Sequence, residues 1–485
     1  MEMLTMDESR FSPAENTILA IAKASNLSIA ASSASRDLGS LEILAEWGMR
    51  PADGDADFSA AGLKALALDP PAKRGGASRI EYARRHMPCV KALQEIYAKE
   101  KIFEGARIAA CLILEPKTAV LALALKEMGA ELELYCGASS VDQETAFALS
   151  KLGVPLRADA SNTPEEDHEN ALKMLDSLSP QILLDDGAGI TRLLHMERPG
   201  LAEGLWGIAE ETTCGVAALE AMEAEGELKA PAVAVNDMPI KTMFDNAHGT
   251  GETVVAVLLD LAQEGAKDKK ACVAGYGPVG FGVAKRLRAL GAEVSICEVS
   301  HVRALQALHD GYQVKPLLEA AKDADWIVTA SGVMGTITGE ALLAAKDGAI
   351  IASAGGALRE IDVDGAIALG AELDKSDPDR WTLFFNKNNN KNQKGVRILS
   401  RGHGINYTSG GGNPIEIMDL SFAGQLEALA HIIKNKGNLP RKVIRLPLEA
   451  SEEIARIKLE SMNVAIDLRK QASSWRKTRF APQGG

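Results

Sequence analysis

The chain has 485 residues, of which 46% are hydrophobic and 25% charged, and its formal net charge is −13. A chain of this length accommodates two or three domains with large apolar cores. The acidic balance argues against nucleic acid as a partner, because phosphate backbones attract basic surfaces. No apolar run reaches the length of a membrane span, and the N-terminus MEMLTMDESR lacks the basic-then-apolar order of a signal peptide. We therefore expect a cytoplasmic protein without a membrane partner.

Six cysteines are scattered along the chain without CxxC spacing, most of them inside apolar segments. This distribution is typical of reduced thiols in protein cores and agrees with a cytoplasmic location. It offers no pattern of metal ligands, and we expect no metal site.

The N-terminal 75 residues show a helical pattern, and the segment DPPAKRGGAS that follows is typical of a linker. An α/β region begins at Ser78, with a predicted strand at 105–114 and a helix at 117–128. The alternation continues to the strand QILLDDGAG, whose acids lie at its carboxyl end. Ligand sites in open parallel sheets occur at such ends. A long helix at 252–265 then leads to a glycine-rich turn.

Residues 270–298 predict a strand, a glycine turn, a helix and a second strand that ends on an acid. Gly275 and Gly277 allow the backbone to approach a pyrophosphate, and Gly280 lets the helix pack close to the strand. Glu298 is placed to accept hydrogen bonds from the adenosine ribose hydroxyls. The combination predicts dinucleotide binding. A carboxylate at this position would repel a 2′-phosphate and so favours NAD over NADP.

The α/β pattern continues beyond the glycine turn. Arg303 follows Glu298 closely in the sequence, and its positive charge leaves NADP as an alternative cofactor. Apolar strands at 323–332 and 348–356 end on small residues, which suits the close passage of a cofactor. The Asn-rich run at 386–395 predicts an exposed hairpin or loop, and the chain after SGGGNP is helical again.

These patterns predict an α/β protein with two doubly wound Rossmann-like domains, a substrate domain and an NAD-binding domain, and C-terminal helices. The helices would return to the first domain or to a partner subunit. The expected boundaries are an N-terminal helical extension at 1–77, the substrate domain at 78–250 and 412–460, the NAD-binding domain at 251–411, and a C-terminal tail at 461–485.

Three polar clusters lie in turns between apolar strands. They are Asp185-Asp186-Gly187, Glu210-Glu211-Thr212-Thr213, and Asn236-Asp237 followed by Lys241, Asp245 and Asn246. Lys241 and Asp245 are four residues apart and would share one helix face, where spacing alone favours a surface salt bridge. Acid pairs at helix starts are usually caps. The position of all three clusters in Gly-, Thr- or Pro-containing turns favours a functional role instead.

Segments with the same order and motifs occur in one enzyme family. They include GIAEETTCGV, VNDMPIKTMFDNAHGTGE, VAGYGPVGFGVA and NYTSGGGNP, and the match extends over about residues 86–465. In these segments the chain resembles the S-adenosyl-L-homocysteine hydrolase (adenosylhomocysteinase) family. The resemblance implies bound NAD, a nucleoside substrate, a homo-oligomer (dimer or tetramer) and a place in one-carbon metabolism. The implied reaction oxidises the ribose 3′-hydroxyl, eliminates a thiol at C5′, adds water and reduces the ketone again.

The resemblance also implies roles for individual residues. Lys241 and Asp245 would handle the 3′-hydroxyl and C4′ protons, with Asn246 orienting the pair. Glu211 would bind the ribose hydroxyls, and Asp186 would lie beside the C5′ chemistry. The resemblance, the glycine turn and the small strand ends together predict the cofactor contacts. These are Thr212, Thr213, Gly275, Gly277, Val279, Gly280, Glu298, Ser331, Gly332, Gly355 and Asn406.

The chain departs from the family where the elimination chemistry takes place. Ile113-Leu114-Glu115 stands where the family has a His-Met-Thr-type segment, and Lys117 replaces the acid that accepts the adenine amino group. Gly355-Gly356 replaces a Gly-His pair, and Asn413 replaces the histidine of a Gly-His-Pro motif. The redox half of the site is therefore expected to be intact and the elimination and base-recognition half to be altered.

Several residues are candidates for the altered half. Glu115 or Asp186 could take over acid–base work at C5′ if burial raises the carboxyl pKa. Lys117, a donor, would suit the carbonyl of an inosine-like base, or it merely pairs with Glu115. His248 and His403 are the histidines nearest to the motifs, and both are predicted to be structural or surface residues.

Three functions remain open on these observations. The first is ordinary hydrolysis of S-adenosylhomocysteine, and the second is a related NAD-dependent reaction on another nucleoside or nucleoside thioether. The third is a catalytically silent NAD-binding paralogue that regulates a partner. Retention of Lys241, Asp245, Asn246 and Glu211 argues against silence, because a pure binder has no need of them.

Overall fold

The computed structural model describes residues 75–355, 359–377, 379–385 and 394–467, together with a parallel pair of two-residue strands near the N-terminus. The chain divides into a unit at Met1–Arg79 and a unit at Ile80–Gly485. Of the predicted helical extension, only this strand pair and the residues from 75 onward are described, and the rest lies outside the described residues. The same holds for Gly356 and for the predicted tail beyond residue 467.

The strands after residue 80 form two large sheets in the second unit, apart from the N-terminal strand pair. In chain order the strands are Ala30–Ala31 (β1), Ala52–Asp53 (β2), Arg107–Cys111 (β3), Glu131–Tyr135 (β4), Leu156–Arg157 (β5), Ile182–Asp185 (β6), Gly207–Glu210 (β7), Ala232–Ala234 (β8), Lys270–Ala274 (β9), Glu293–Cys297 (β10), Gln313–Val314 (β11), Trp326–Thr329 (β12), Ile350–Ser353 (β13), Ala371–Asp374 (β14), Arg380–Phe385 (β15), Lys394–Leu399 (β16) and Val443–Ile444 (β17).

The first large sheet has seven parallel strands in the order β17-β8-β7-β6-β3-β4-β5. Its central strands β6 and β7 are buried along their whole length. The second has eight strands in the order β11-β10-β9-β12-β13-β16-β15-β14, parallel except for the antiparallel pairs at the β14 edge. The Asn-rich run connects two of these antiparallel strands, and its residues 386–393 lie outside the described residues. The α/β prediction is confirmed.

Helices cover the faces of both sheets. In chain order the helices are Gly76–Arg85 (α1), Pro88–Glu100 (α2), Pro116–Glu127 (α3), Gln143–Lys151 (α4), Pro164–Leu178 (α5), Gly189–Glu197 (α6), Pro199–Glu203 (α7), Thr213–Ala224 (α8), Pro239–Lys241 (α9), Gly251–Ala262 (α10), Pro278–Ala289 (α11), His301–His309 (α12), Leu317–Asp323 (α13), Gly339–Ala344 (α14), Val363–Ala368 (α15), Ile405–Thr408 (α16), Ile415–Lys434 (α17) and Leu448–Ser461 (α18). Within the described ranges, none of them is long and apolar enough to cross a membrane.

The C-terminal helices pack on the first sheet. Asp419 of α17 accepts hydrogen bonds from the backbone N–H groups of Cys89 and Val90, both at 3.0 Å, at the start of α2. The N-cap residue of α2, Met87, provides no side-chain cap of its own, so Asp419 satisfies N–H groups that would otherwise lack partners. Lys458 of α18 donates to the same carboxylate at 2.8 Å. One buried acid thus ties three helices together.

A nine-residue π-helix at Thr242–Thr250 carries part of the third polar cluster. It packs against α11, where a Cβ added at Gly282 would lie 2.0 Å from the carbonyl oxygen of Ala247. A Cβ at Gly251 would lie 2.7 Å from the Cα of Gly282. Helices approach this closely only where side chains are missing, so two glycines bring the π-helix against the first helix of the glycine fingerprint.

The substitution Gly282→Ala is therefore expected to destabilise the protein by about 1–3 kcal/mol, since overpacking against backbone cannot be relieved by a side-chain rotation. A lower melting temperature of the NAD-loaded protein would show this. The control is Gly200→Ala in α7, where a Cβ meets nothing within 4 Å. If both variants melt like the parent, the close glycine contact is not a determinant of stability.

Candidate active site

A cavity of about 370 Å³ lies at the carboxyl ends of strands from both sheets. Residues that follow β3, β6 and β7 form one wall, and residues that follow β9, β12 and β13 form another. Cavities of this size hold small-molecule ligands, and carboxyl ends of parallel strands are their usual place. The volume suits a nucleoside and the reacting part of a dinucleotide.

Of the residues predicted for the site, most line this cavity. The lining residues among them are Glu115, Asp186, Glu211, Thr212, Thr213, Lys241, Asp245, Asn246, Gly277, Val279, Ser331, Gly332, Gly355 and Asn406. Gly275, Gly280 and Glu298 do not line it and lie in or beside the glycine turn.

In each of the two acid pairs, Asp185-Asp186 and Glu210-Glu211, the first acid has a structural role and the second faces the cavity. Asp185 is fully buried and accepts hydrogen bonds from the backbone N–H and the hydroxyl of Thr191, at 2.8 and 2.7 Å. Glu210, also fully buried, accepts bonds from three backbone N–H groups of the neighbouring turns at 2.8–2.9 Å. Each first acid therefore holds loop backbone in place, and the next residue, Asp186 or Glu211, is left to face the cavity.

Lys241 is the centre of the charged cluster. Its side chain is 4% exposed, and its Nζ lies 2.7 Å from Asn246 Oδ1, 3.5 Å from Asp245 Oδ1 and 3.7 Å from Glu211 Oε1. The expectation of a surface salt bridge from the four-residue spacing is wrong, because both side chains are buried and point into the cavity. The π-helix accounts for this: it turns Asp245 and Asn246 inward and leaves their neighbours Met243 and Phe244 partly exposed.

Helix α17 supplies donors that sequence reasoning missed. Ser421 donates to Asp245 Oδ2 at 2.7 Å, and Gln425 donates to Glu211 Oε2. The two donors are four residues apart on a helix whose other inward positions are largely apolar, so they share one face. Polar residues at this spacing in LSFAGQ were the available signal. Asn413 adds a third donor, 2.9 Å from Asp245 Oδ1.

Burial and mutual repulsion shift the titration of these acids. Burial raises the pKa of Asp186 to about 6 and that of Glu211 to about 7, with Lys241 opposing both shifts. Burial also lowers the pKa of Lys241, but Asp245, Glu211 and Asp186 outweigh it, and the net shift is upward. The amine therefore stays an ammonium ion, a group that stabilises negative charge developing on a substrate oxygen.

The glycine turn forms a cradle that fits a dinucleotide. Gly275 has φ +105°, and a Cβ at Gly280 would lie 1.9 Å from the carbonyl oxygen of Gly275, so neither position tolerates a side chain. A Cβ at Gly277 would meet only the guanidinium of Arg303, at 3.5 Å, which leaves the helix N-terminus open to phosphate oxygens. Glu298 accepts bonds from three backbone N–H groups at 2.7–2.8 Å and so fixes the turn. Its predicted contact with ribose hydroxyls stays a prediction.

Glu360 supports the second part of the cradle and was not singled out in the sequence. The carboxyl group is fully buried, accepts hydrogen bonds from Thr329 and Ser331, and leaves its Oε1 without a partner among the described residues. A Cβ at Gly355 would lie 1.4 Å from that oxygen. The missing side chain at Gly355, after β13, is therefore required by a buried carboxyl group, and its predicted contact with the cofactor stays a prediction.

Glu115 and Lys117 form an ion pair at another part of the cavity. The Lys117 Nζ lies 2.7 Å from Glu115 Oε2 and donates to the carbonyl oxygen of Gly411 at 2.9 Å. Glu115 lines the cavity, whereas Lys117 does not. The idea that Lys117 itself meets the ligand therefore has no support in the geometry, and the group presented to a ligand here is a carboxylate.

One of the two histidines nearest to the motifs lines the cavity, and the other lies at the surface. Ile113 and Asn413, which the resemblance predicts to replace two family histidines, both line the cavity. His248 lies at the surface near Glu252, as predicted. His403 lines the cavity and is the one histidine of the eight to do so, all eight being described; its predicted structural or surface role stays a prediction. Within the described residues, no group of three or more His, Cys, Asp or Glu could hold a metal ion.

Comparison with known proteins agrees with this geometry. Two family models match the chain: "S-adenosyl-L-homocysteine hydrolase" over residues 69–203 and "S-adenosyl-L-homocysteine hydrolase, NAD binding domain" over residues 248–412. An adenosylhomocysteinase of Thermotoga maritima is 37% identical over 396 residues, which cover 81% of this chain and 96% of that protein. The chain belongs to the S-adenosyl-L-homocysteine hydrolase family.

Two further relatives show the range of the family. An adenosylhomocysteinase of Saccharolobus solfataricus is 39% identical over 81% of this chain and 93% of its own length. An S-inosyl-L-homocysteine hydrolase of Methanocaldococcus jannaschii is 37% identical over 83% of this chain and 97% of its own length. This S-adenosyl-L-homocysteine hydrolase family member is an NAD-dependent enzyme of the adenosylhomocysteinase type.

Glu211 should make stability depend on pH. In the folded protein its pKa is raised to about 7, so between its ordinary value of 4.5 and that pH the folded state holds a proton that the unfolded state has lost. Stability therefore falls as the pH rises through this window, by on the order of 3 kcal/mol. We expect Glu211→Gln to show a smaller fall in melting temperature between these pH values, with the exposed Glu131→Gln as control. Equal falls in both variants would contradict the assignment.

Proposed function

We propose that this enzyme oxidises the 3′-hydroxyl of a purine nucleoside or nucleoside thioether with NAD and completes an altered elimination and hydration at C5′. One contrast carries the proposal. The charged cluster around Lys241 is buried in the cavity, whereas Ile113 and Asn413 line it where, on the resemblance, the family has histidines. A homo-oligomeric state is part of the proposal on family resemblance alone.

The oxidation half needs a group that holds the 3′-oxygen and an acceptor for its proton. Lys241 donates to that oxygen, and the carboxylates of Glu211 and Asp245 on either side of it are the acceptors within reach. Asn246 fixes the ammonium through its Oδ1, 2.7 Å away, and is itself bonded to Asn236. Bound NAD supplies hydride acceptance and return. The same basic groups lie beside the C4′ proton of a ribose held in this way.

Asp186 and Glu115 have different roles in the rest of the cavity. Asp186 lies among the groups that interact with Lys241, and at neutral pH its pKa of about 6 leaves it mostly ionised. Glu115 is paired with Lys117 and packed next to Gly412, where a Cβ would lie 2.6 Å from its Oε2. We assign Glu115 to recognition of the base, and Asp186 keeps its predicted place beside the reacting C5′ atom.

A carboxylate at the base requires an N–H group on the ligand. Burial raises the pKa of Glu115 and the ion pair with Lys117 opposes that shift; in the ionised form the carboxylate only accepts hydrogen bonds. Adenine offers its 6-amino group, and hypoxanthine offers its N1–H. The curated relatives include enzymes named for S-adenosyl and for S-inosyl compounds, which supports a purine nucleoside thioether as the substrate class.

The first experiment tests the redox half and the leaving group together. The NAD-loaded enzyme is mixed separately with S-adenosylhomocysteine, adenosine and inosine, while NADH absorbance and free thiol are recorded. We expect NADH from a nucleoside and slow or absent thiol release from S-adenosylhomocysteine. Lys241→Met should abolish NADH formation, because the oxygen loses its charge stabiliser, and the surface variant Lys151→Met should not.

The outcomes of this experiment separate the three functions. Thiol release at the rate of NADH formation would mean ordinary hydrolysis of S-adenosylhomocysteine. Absence of NADH with every nucleoside would indicate a silent NAD-binding paralogue. Either result would overturn the proposal.

Recognition of the base is tested with purine riboside, which lacks an N–H donor on its six-membered ring. We expect at least one of the two nucleosides, adenosine and inosine, to bind at least about tenfold more tightly than purine riboside. The reason is that hydrogen bonds to charged groups contribute about 1.5–3 kcal/mol. Lys117→Met should reduce this preference, because Glu115 without its cation takes up a proton. Equal affinity of all three nucleosides in a binding titration would mean that Glu115 does not touch the base.

A further inference from the structure

His403 has an unusual position for a histidine that merely fills space. It lines the cavity and is half-buried, and its ring has no hydrogen bond or ion pair to any described residue. By contrast, His195, also half-buried, uses both ring nitrogens in bonds to backbone groups. A cavity-lining imidazole with both nitrogens unused is available to a ligand or to a water molecule bound there.

The backbone before His403 is held in a costly conformation. Ser400, Arg401 and Gly402 have φ values of 47°, 57° and 83°, and two of these three residues carry a Cβ. Left-handed backbone costs on the order of 1 kcal/mol or more for each such residue. The next residue, Gly404, pairs with Ser353 at the end of β13, which holds this segment against the second sheet. The loop thereby brings residue 403 to the wall of the cavity.

The surroundings of Tyr407 show which groups lie near the segment that carries His403. A Cβ at Gly404 would lie 2.5 Å from the Tyr407 ring, so the ring packs directly beside the residue that follows His403. The carboxylate of Asp186 and the thiol of Cys214 are near enough to add to the effect of burial, which raises the pKa of Tyr407 to about 12. Tyr407 therefore lies near Asp186, and His403 lies four residues before it on the same segment of the cavity wall.

We propose that His403 is the group that exchanges a proton with the oxygen at C5′, activating water for addition and protonating hydroxide as it leaves in reverse. The inference rests on the proposed function, since it needs the 3′-keto nucleoside. In elimination the C4′–H electron pair becomes the C4′=C5′ bond, and its proton passes to the basic cluster around Lys241. The C5′–O bond breaks with its pair on oxygen, which takes a proton from the His403 imidazolium. In hydration the neutral imidazole removes the proton from the attacking water.

The alternatives on the same wall are less suited to this role. The Tyr407 phenol, with a pKa of about 12, gives only a trace of base at neutral pH. Asp186 is an acceptor, but it interacts with the Lys241 ammonium, whose charge opposes uptake of a proton by this carboxylate. Burial, and secondarily Arg401, lower the pKa of His403 below 6.5, which leaves neutral imidazole as the main form and suits deprotonation of water.

The test follows oxygen at C5′, so the natural leaving group need not be known. NAD-loaded enzyme is incubated with adenosine or inosine in water enriched in the heavy oxygen isotope, and label at the 5′-hydroxyl is measured by mass spectrometry. NADH formation is recorded in parallel. We expect His403→Gln to keep NADH formation within about threefold while label exchange falls on the order of a hundredfold to ten-thousandfold. The surface variant His248→Gln should exchange label like the parent.

Added imidazole should restore part of the exchange in His403→Ala, which a merely structural role would not allow. Melting temperature and NAD content confirm that both variants are folded. Exchange at the parental rate in His403→Gln, or loss of exchange in Tyr407→Phe alone, would overturn the assignment. Parent enzyme that forms NADH without any label exchange would overturn it as well. Absence of NADH in the parent would instead refute the proposed function and this inference with it.

Discussion

A single buried ammonium among several carboxyl groups is the constraint on which the site depends. Lys241 is 3% exposed and interacts with Glu211, Asp245 and Asp186. Removing charges from water costs several kcal/mol for each ion, and the cost is recovered only if each partner is hydrogen-bonded. The fold meets this condition with donors from distant elements: Ser421 of α17 holds Asp245, and the neighbouring turn of that helix holds Glu211. Helix α17 therefore belongs to the active site as much as to the core.

The π-helix that carries part of this cluster contacts α11 through backbone atoms, at a distance that only glycine permits. The π-helix carries Asp245 and Asn246, and its contact with α11 relies on Gly282 lying 2.0 Å, at its missing Cβ, from a carbonyl oxygen. Because α11 begins at the glycine turn, the same helix positions both the phosphate cradle and the catalytic segment. A bound cofactor would therefore be positioned by the element against which the catalytic segment rests.

The sequence predicted what local rules determine and missed what the tertiary structure determines. Strand ends, the glycine turn and the α/β class follow from hydrophobic period and glycine spacing. Spacing alone made Lys241 and Asp245 a surface pair, because no local rule reports that α17, nearly two hundred residues later, covers them. His403 was named only as a structural or surface residue for a related reason: three residues of positive φ precede it, and two of them are not glycine. The burial of Glu360 likewise has no local signature.

The replacements at residues 113 and 413 add no unpaired buried charge or polar atom among the described residues. Ile113 brings no polar atom, and Asn413 donates to Asp245 at 2.9 Å and to Thr250 at 3.1 Å. An amide performs this bonding at every pH, whereas a histidine in its place would change charge beside Asp245. The cluster around Lys241 therefore keeps one arrangement over the pH range in which a histidine would change its charge. In the reaction proposed here, the cluster around Lys241, held by hydrogen bonds to Asn246 and Asn413, serves the oxidation, and the unbonded imidazole of His403 serves C5′.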